Sequence, residues 1–118
     1  MRALIVDDDL AVSRILSRYL TQRGWLADEA PRVSSALDAF KQGSYDLLIS
    51  DVDLPDGDGL SLAQALLKVK PSLTVIVVSG DPDNLERARE AGLATCLHKP
   101  FALDELRTLI DLECTGKI

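Results

Sequence analysis

"DLLISDVDLPDGDGLSLAQALLKVKPSLTVIVVSGD", residues 46–81, is the stretch on which the fold turns. It opens on a short apolar run, "DLLIS" at 46–50, and breaks into a turn that crowds Asp51, Asp53, Asp56 and Asp58 around Pro55, Gly57 and Gly59. Past Asp58, a natural N-cap, Leu62, Ala63, Leu66 and Leu67 fall on one helical face until Pro71. A second apolar run, "TVIVVS" at 74–79, follows. Strand, helix, strand in this order predicts a parallel pair with a helical crossover, and the unbroken apolar character of both runs fits strands buried on both faces.

The same alternation extends in both directions. "ALIV" (3–6), "WLADEA" (25–30) and "TCLH" (95–98) supply further strands, of which "WLADEA" is the weakest. Between them, Val12, Ile15, Leu16, Tyr19 and Leu20 share a helical face closed by Gly24, and Val33, Ala36, Leu37 and Phe40 repeat the pattern before Gly43. Leu103, Leu106, Leu109 and Ile110 mark the last helix. The helix of residues 83–91 has only Leu85, Ala88 and Ala91 to bury, so it is expected to be loosely held. Five β-α units in one α/β sandwich result, read as a single domain over 1–118. Periodicity does not order the strands within the sheet.

Composition narrows the function. A chain of 118 residues with 47% hydrophobic content can bury a full core, and its net charge of −6 repels a nucleic-acid backbone, so direct nucleic-acid binding is not expected. A basic partner fits better. Runs such as "LTVIVV" (73–78) are too short to cross a bilayer, and the N-terminus lacks the basic, apolar and small-residue regions of a signal peptide, so the protein is expected in the cytoplasm and off the membrane. Cys96 and Cys114 have no metal-ligand spacing and read as reduced thiols.

Chemistry gathers at the carboxyl ends of the predicted strands, where open parallel sheets bind ligands. The first strand runs into Asp7, Asp8 and Asp9, the third into Asp51, the fourth into Ser79, Gly80 and Asp81, and the fifth into His98, Lys99 and Pro100. Taken singly, each has a plainer reading: Asp9 as a helix start, Asp51 as a solvated turn carboxylate, Ser79 bonded to its own backbone, Lys99 on the surface. Their joint placement weighs more. If the first and third strands are neighbours, each carboxylate pair about 5 Å apart costs roughly 3 kcal/mol at an effective dielectric near 20. A hard divalent cation offsets that cost, and Mg²⁺, which takes one or two carboxylates and keeps its waters, suits a shallow crevice.

"LIVDDD" (4–9), "DLLISDVDLPDGDG" (46–59), "VIVVSGD" (75–81) and "LHKPF" (97–101) together resemble, in order and spacing over residues 2–112, the receiver domain of two-component response regulators. The resemblance implies a flavodoxin-like (βα)5 sandwich with strand order 2-1-3-4-5. It implies that Asp51 accepts a phosphoryl group from a sensor histidine kinase or histidine phosphotransfer protein. In the same way it implies that Asp7, Asp8, Asp51 and the backbone carbonyl of Asp53 hold Mg²⁺, that Lys99 binds phosphoryl oxygens, that Ser79 is the switch hydroxyl and that Lys99-Pro100 is cis. Such a protein is a signalling phosphoacceptor whose only catalysis is its own phosphorylation and dephosphorylation. Its output surface comprises the fourth helix, fifth strand and fifth helix, which control an output domain or target protein, with dimerisation on phosphorylation among the expected outcomes.

Two features modify that expectation. Cys96 stands where many receivers carry Tyr or Phe, so a thiol cannot report the switch by filling an aromatic's volume. Asp53 and Asp81, each two residues past a principal site residue, flank the route of attacking water and are expected to modulate phosphoaspartate lifetime. Asp56 and Asp58 read as turn and cap residues, Gly57 and Gly59 as permitting tight turns, and His98 as an exposed strand-end residue. Three alternatives stand beside this one. "DVD" also resembles the nucleophile motif of haloacid-dehalogenase-like phosphatases, although that motif usually sits on the first strand of a chain with a substrate-covering cap. A flavin module would need a phosphate cradle where "DDDLA" (7–11) repels phosphate. A phosphorylation-independent docking module would not need the acids, hydroxyl and lysine that are all present.

Overall fold

Residues 46–81 form the predicted strand, helix and strand, and the remaining units continue the pattern in a computed structural model that describes residues 1–93 and 95–114. In chain order the elements are β1 (Arg2–Val6), α1 (Leu10–Gln22), β2 (Leu26–Ala30), α2 (Val33–Gln42), β3 (Leu47–Asp51), α3 (Gly59–Val69), β4 (Thr74–Ser79), α4 (Pro82–Glu90), β5 (Cys96–His98) and α5 (Leu103–Cys114). Among the described residues one five-stranded parallel sheet is present, ordered β2-β1-β3-β4-β5. This is the flavodoxin-like order implied by the resemblance. A short antiparallel ribbon pairs Asp53 with Asp58 and Leu54 with Gly57 ahead of α3. Residues 115–118 of the expected domain lie outside the described residues. No described helix is long and apolar enough to cross a membrane.

The side-chain alternation of the strands divides the core in two. Ala3, Ile5, Leu47, Ile49, Ile76, Val78 and Leu97 pack on one sheet face with Leu16 and Leu20 of α1 and Leu106, Ile110 and Cys114 of α5. Leu4, Val6, Leu48 and Val77 face the other way, against Ala36 of α2, Leu62, Ala63 and Leu66 of α3 and Ala88 of α4. Both faces are covered, which is why the central strands read as continuous apolar runs. β2 is an edge strand with Leu26 67% exposed, which accounts for its weak signal. It is tied down by polar bonds: Asp28 accepts from Arg2 at 2.6 Å and from the Tyr45 hydroxyl at 2.6 Å.

Three details depart from the periodicity. The buried stripe of α1 runs through Ser13, Leu16 and Leu20, while Ile15 is 56% exposed. Ser13 is admitted because its hydroxyl donates to the Asp7 carbonyl at 3.2 Å. Leu37 and Ala91, expected on buried faces, are exposed. Gly57 and Gly59 do not adopt positive φ; Gly24, at φ 89 beyond α1, does, as a helix-ending glycine.

Candidate phosphoacceptor site

Parallel strands in register deliver their ends to one edge. Val6 is paired with Ser50, Asp51 with Val78 and Ser79 with His98, so Asp7, Asp51, Ser79 and Lys99 emerge side by side from four strands. Asp7 is 3% exposed; its Oδ1 accepts from the Asp9 amide at 2.9 Å and its Oδ2 accepts from Lys99 Nζ at 2.7 Å. The same ammonium lies 3.3 Å from Asp51 Oδ2. Asp8 is exposed, yet one oxygen from each of Asp7, Asp8 and Asp51 lies within 4.8 Å of the others. Asp9 turns away to cap α1, accepting from Ala11 N at 3.0 Å. The peptide bond between Lys99 and Pro100 is cis.

Burial holds the Asp51 carboxyl above the ordinary carboxylate range, with the Asp7 charge acting in the same direction and Lys99 against both. Desolvation would lower the Lys99 pKa, but its bond to Asp7 and the charge of Asp51 outweigh that and raise it. One ammonium therefore bonds two members of a three-carboxylate cluster. Such an all-oxygen cluster with excess negative charge and one solvent-facing member has the donor chemistry of a divalent hard-cation site. Asp7, Asp8 and Asp51 fit Mg²⁺ on these grounds.

Around this centre the other expected residues take distinct positions. Ser79 is buried, and its Oγ accepts from the Asp81 amide at 3.0 Å, close to the plainer reading of a hydroxyl bonded to its own backbone. Asp81 caps α4 through Asp83 N at 2.9 Å. The Asp53 carboxylate accepts from Asn84 Nδ2 at 3.0 Å. Cys96 Sγ donates to the Leu93 carbonyl at 3.3 Å, and burial raises its thiol pKa, the marks of a small core residue. His98 is exposed at the end of β5. Asp58 caps α3 through Leu60 N at 2.9 Å, whereas Asp56 reaches across to the start of α2 and accepts from Val33 N at 2.7 Å and Ser34 N at 3.0 Å.

The sequence reading gave Gly59 a turn role and left Asn84 unmarked. Gly59 is required by close approach: a Cβ there would meet the Asp51 carbonyl oxygen at 1.9 Å. Asn84 bridges Asp53 and Ser79 from the first turn of α4. Its signal was present, since position 84 lies one turn before Ala88 on the stripe that α4 buries, where a polar residue needs a partner.

Residues 3–111 match the sequence model of the family described as the response regulator receiver domain. The DNA-binding transcriptional regulator NtrC of Proteus hauseri is 34% identical over 113 residues, which span 94% of this chain and 24% of that protein. The chain thus spans about a quarter of that relative's length. Among solved structures, the beryllofluoride-activated NtrC4 receiver domain dimer superposes with a TM-score of 0.88 at 28% identity, over 99% of this chain and 98% of that one. TrrA from Thermotoga maritima, in complex with Mg²⁺-BeF, superposes with a TM-score of 0.83 at 29% identity, over 95% and 97%. With the family's motifs standing at the ends of correctly ordered strands, the chain belongs to the receiver domains of two-component response regulators.

Proposed function

We propose that this chain acts as a single receiver domain in which Asp51 accepts a phosphoryl group from a phosphohistidine of a sensor histidine kinase or phosphotransfer protein. The observation that carries the reading is the convergence of the Asp7, Asp8 and Asp51 oxygens within 4.8 Å with one lysine ammonium at 2.7 and 3.3 Å. An Asp51 carboxylate oxygen attacks phosphorus, the phosphorus–nitrogen bond breaks, and its electron pair stays on the departing imidazole, which keeps or regains its proton from solvent. Little covalent chemistry is asked of the protein; positioning and charge do most of it. Lys99 leaves its bond to Asp51 to meet a phosphoryl oxygen while Asp7 keeps it aimed. Mg²⁺, held by Asp7, Asp8, Asp51 and the Asp53 carbonyl, would neutralise charge on the phosphoryl oxygens.

Ser79 then donates its hydroxyl to the phosphoryl group, and the movement biases α4, β5 and α5 as the surface presented to an output domain or partner. Dimerisation of the phosphorylated form is part of this proposal, in keeping with the dimer of the activated NtrC4 receiver. Ile15, Phe101 and Leu103 line an apolar groove of ≈ 370 Å³ that also includes Lys99, and we assign it to the phosphodonor protein, which must bring its histidine to that side. Asp53 and Asp81 modulate phosphoaspartate lifetime; equal decay rates in wild type and Asp53→Asn would remove Asp53 from that role.

Intact mass after incubation with Mg²⁺ and acetyl phosphate tests the central claim. A single phosphoryl addition that needs metal and disappears in Asp51→Asn is expected. A folded protein that gains no mass would leave a docking module with the fold and without the chemistry.

A further inference from the structure

The first turn of α4 enters the site through one side chain. Asn84 is 6% exposed, and its Nδ2 donates to Asp53 Oδ2 at 3.0 Å and to Ser79 Oγ at 3.2 Å. Its Oδ1 accepts from Arg87 at 3.2 Å, and Arg87 in turn reaches Asp58 Oδ2, on the cap of α3, at 3.0 Å. Both amide protons and the amide oxygen are therefore engaged. Asn is a poor helix former, and burying a primary amide is costly unless it is bonded, so this position is stable because those bonds exist.

Their effect on Ser79 is specific. Ser79 Oγ accepts two hydrogen bonds, one from Asn84 and one from the Asp81 amide, so the oxygen is pinned toward the start of α4 while its proton stays available for donation. A movement of Ser79 Oγ away from the start of α4 stretches the Asn84 bond. The same amide holds the Asp53 carboxylate, and Cys96, which bonds Leu93, offers no aromatic ring to follow Ser79.

We propose that Asn84 is a positioning residue that holds Ser79 and Asp53 in the resting arrangement, so that phosphorylation of Asp51 must release it and thereby frees the first turn of α4. This rests on the phosphoacceptor reading given above. In thermodynamic terms the Asn84 bonds stabilise only the resting state. Removing them raises the fraction of molecules in which Ser79 is free to move, and with it the rate of phosphorylation by a small donor.

The test is the rate of phosphorylation by acetyl phosphate in Mg²⁺, followed by intact mass in wild type, Asn84→Ala and Asn84→Leu. Asn84→Leu keeps the branched side-chain shape, loses both donors, adds no charge beside Asp53 and is a better helix former than Asn, so it guards against a misfolded Asn84→Ala. Both variants are expected to react about fivefold faster, the effect of one ordinary hydrogen bond. The gain should vanish in a Ser79→Ala background, which a merely structural role for Asn84 would not produce. Wild-type rates in Asn84→Leu, or a gain that persists without the Ser79 hydroxyl, would overturn this role while leaving the phosphoacceptor intact. A wild type that takes up no phosphoryl group would instead overturn the reading beneath it.

Discussion

Gly59 shows how tightly the backbone of Asp51, the proposed phosphoacceptor, is enclosed. A Cβ at this position would lie 1.9 Å from the Asp51 carbonyl oxygen and 2.9 Å from Ser50 Oγ, contacts that only a backbone shift can relieve. Gly59→Ala gains up to about 1 kcal/mol of helix propensity against an overpacking cost of roughly 1–3 kcal/mol. A net loss of about 1 kcal/mol is expected as a lowered urea midpoint with unchanged slope, accompanied by slower phosphorylation because Asp51 is what must move. Tyr45 sets a different limit. Its hydroxyl is buried and donates to Asp28, and burial followed by that bond pushes the phenol up to about 12. The folded state prefers the neutral phenol, so this contribution is complete below the unfolded value near 10 and is lost as pH rises through about 12. Stability measured by urea from pH 9 to 12 should therefore fall by roughly 2–3 kcal/mol more in wild type than in Tyr45→Phe. The acids and lysine of the site were legible as residues because each directly follows an apolar strand. The close approach at Gly59, read only as a turn glycine, and the role of Tyr45 were not, since one depends on a backbone brought beside it and the other on an edge strand 17 positions away.

Elements inherit their strength from what they bury. α4 offers Leu85 and Ala88 to the core, whereas α3 buries Leu60, Leu62, Ala63 and Leu66. Amide hydrogen exchange in α4 is accordingly expected to outpace exchange in α3, and comparable protection in the two would show that the Asn84 and Arg87 bonds compensate for the thin apolar face. α2 depends on a residue outside itself, since the Asp56 carboxylate caps it across the acidic turn and these backbone bonds hold the Asp56 carboxyl below the ordinary range. Asp56→Ala should speed exchange in α2 while leaving α5 unchanged. The thinness of α4 was visible in its sequence, because apolar residues are countable along one stripe. The cap on α2 was invisible, because nothing in the spacing of residues 33 and 56 says that a loop acid will meet a helix start. In α1 the periodicity misplaced one residue, Ile15, since Ser13 is buried by a hydrogen bond to the Asp7 carbonyl that hydrophobicity does not register.

At the scale of the molecule, strand order makes the site. Each strand end carries an unremarkable residue, and the order β2-β1-β3-β4-β5 turns them into a cluster by setting β1 against β3 and β3 against β4. Periodicity could not give that order, because every central strand is equally apolar; the resemblance supplied it through motifs spread over the whole chain. The arrangement collects like charge in a chain already at −6, with Lys99 shared between Asp7 and Asp51 and the Asp8 carboxylate left facing solvent. On the Mg²⁺ reading proposed above, Asp8 opposes folding without a cation and supports it with one, two effects of opposite sign that a single substitution separates. With Mg²⁺ at ten times its dissociation constant, wild type should gain roughly 1.4 kcal/mol, a rise in melting temperature on the order of 5 °C. Asp8→Asn should melt at or above the wild-type temperature in chelator and gain little from Mg²⁺, the crossing of the two melting curves being the signature. Parallel Mg²⁺ responses in the two proteins would place the cation elsewhere and would require the three-carboxylate cluster to be balanced by Lys99 alone.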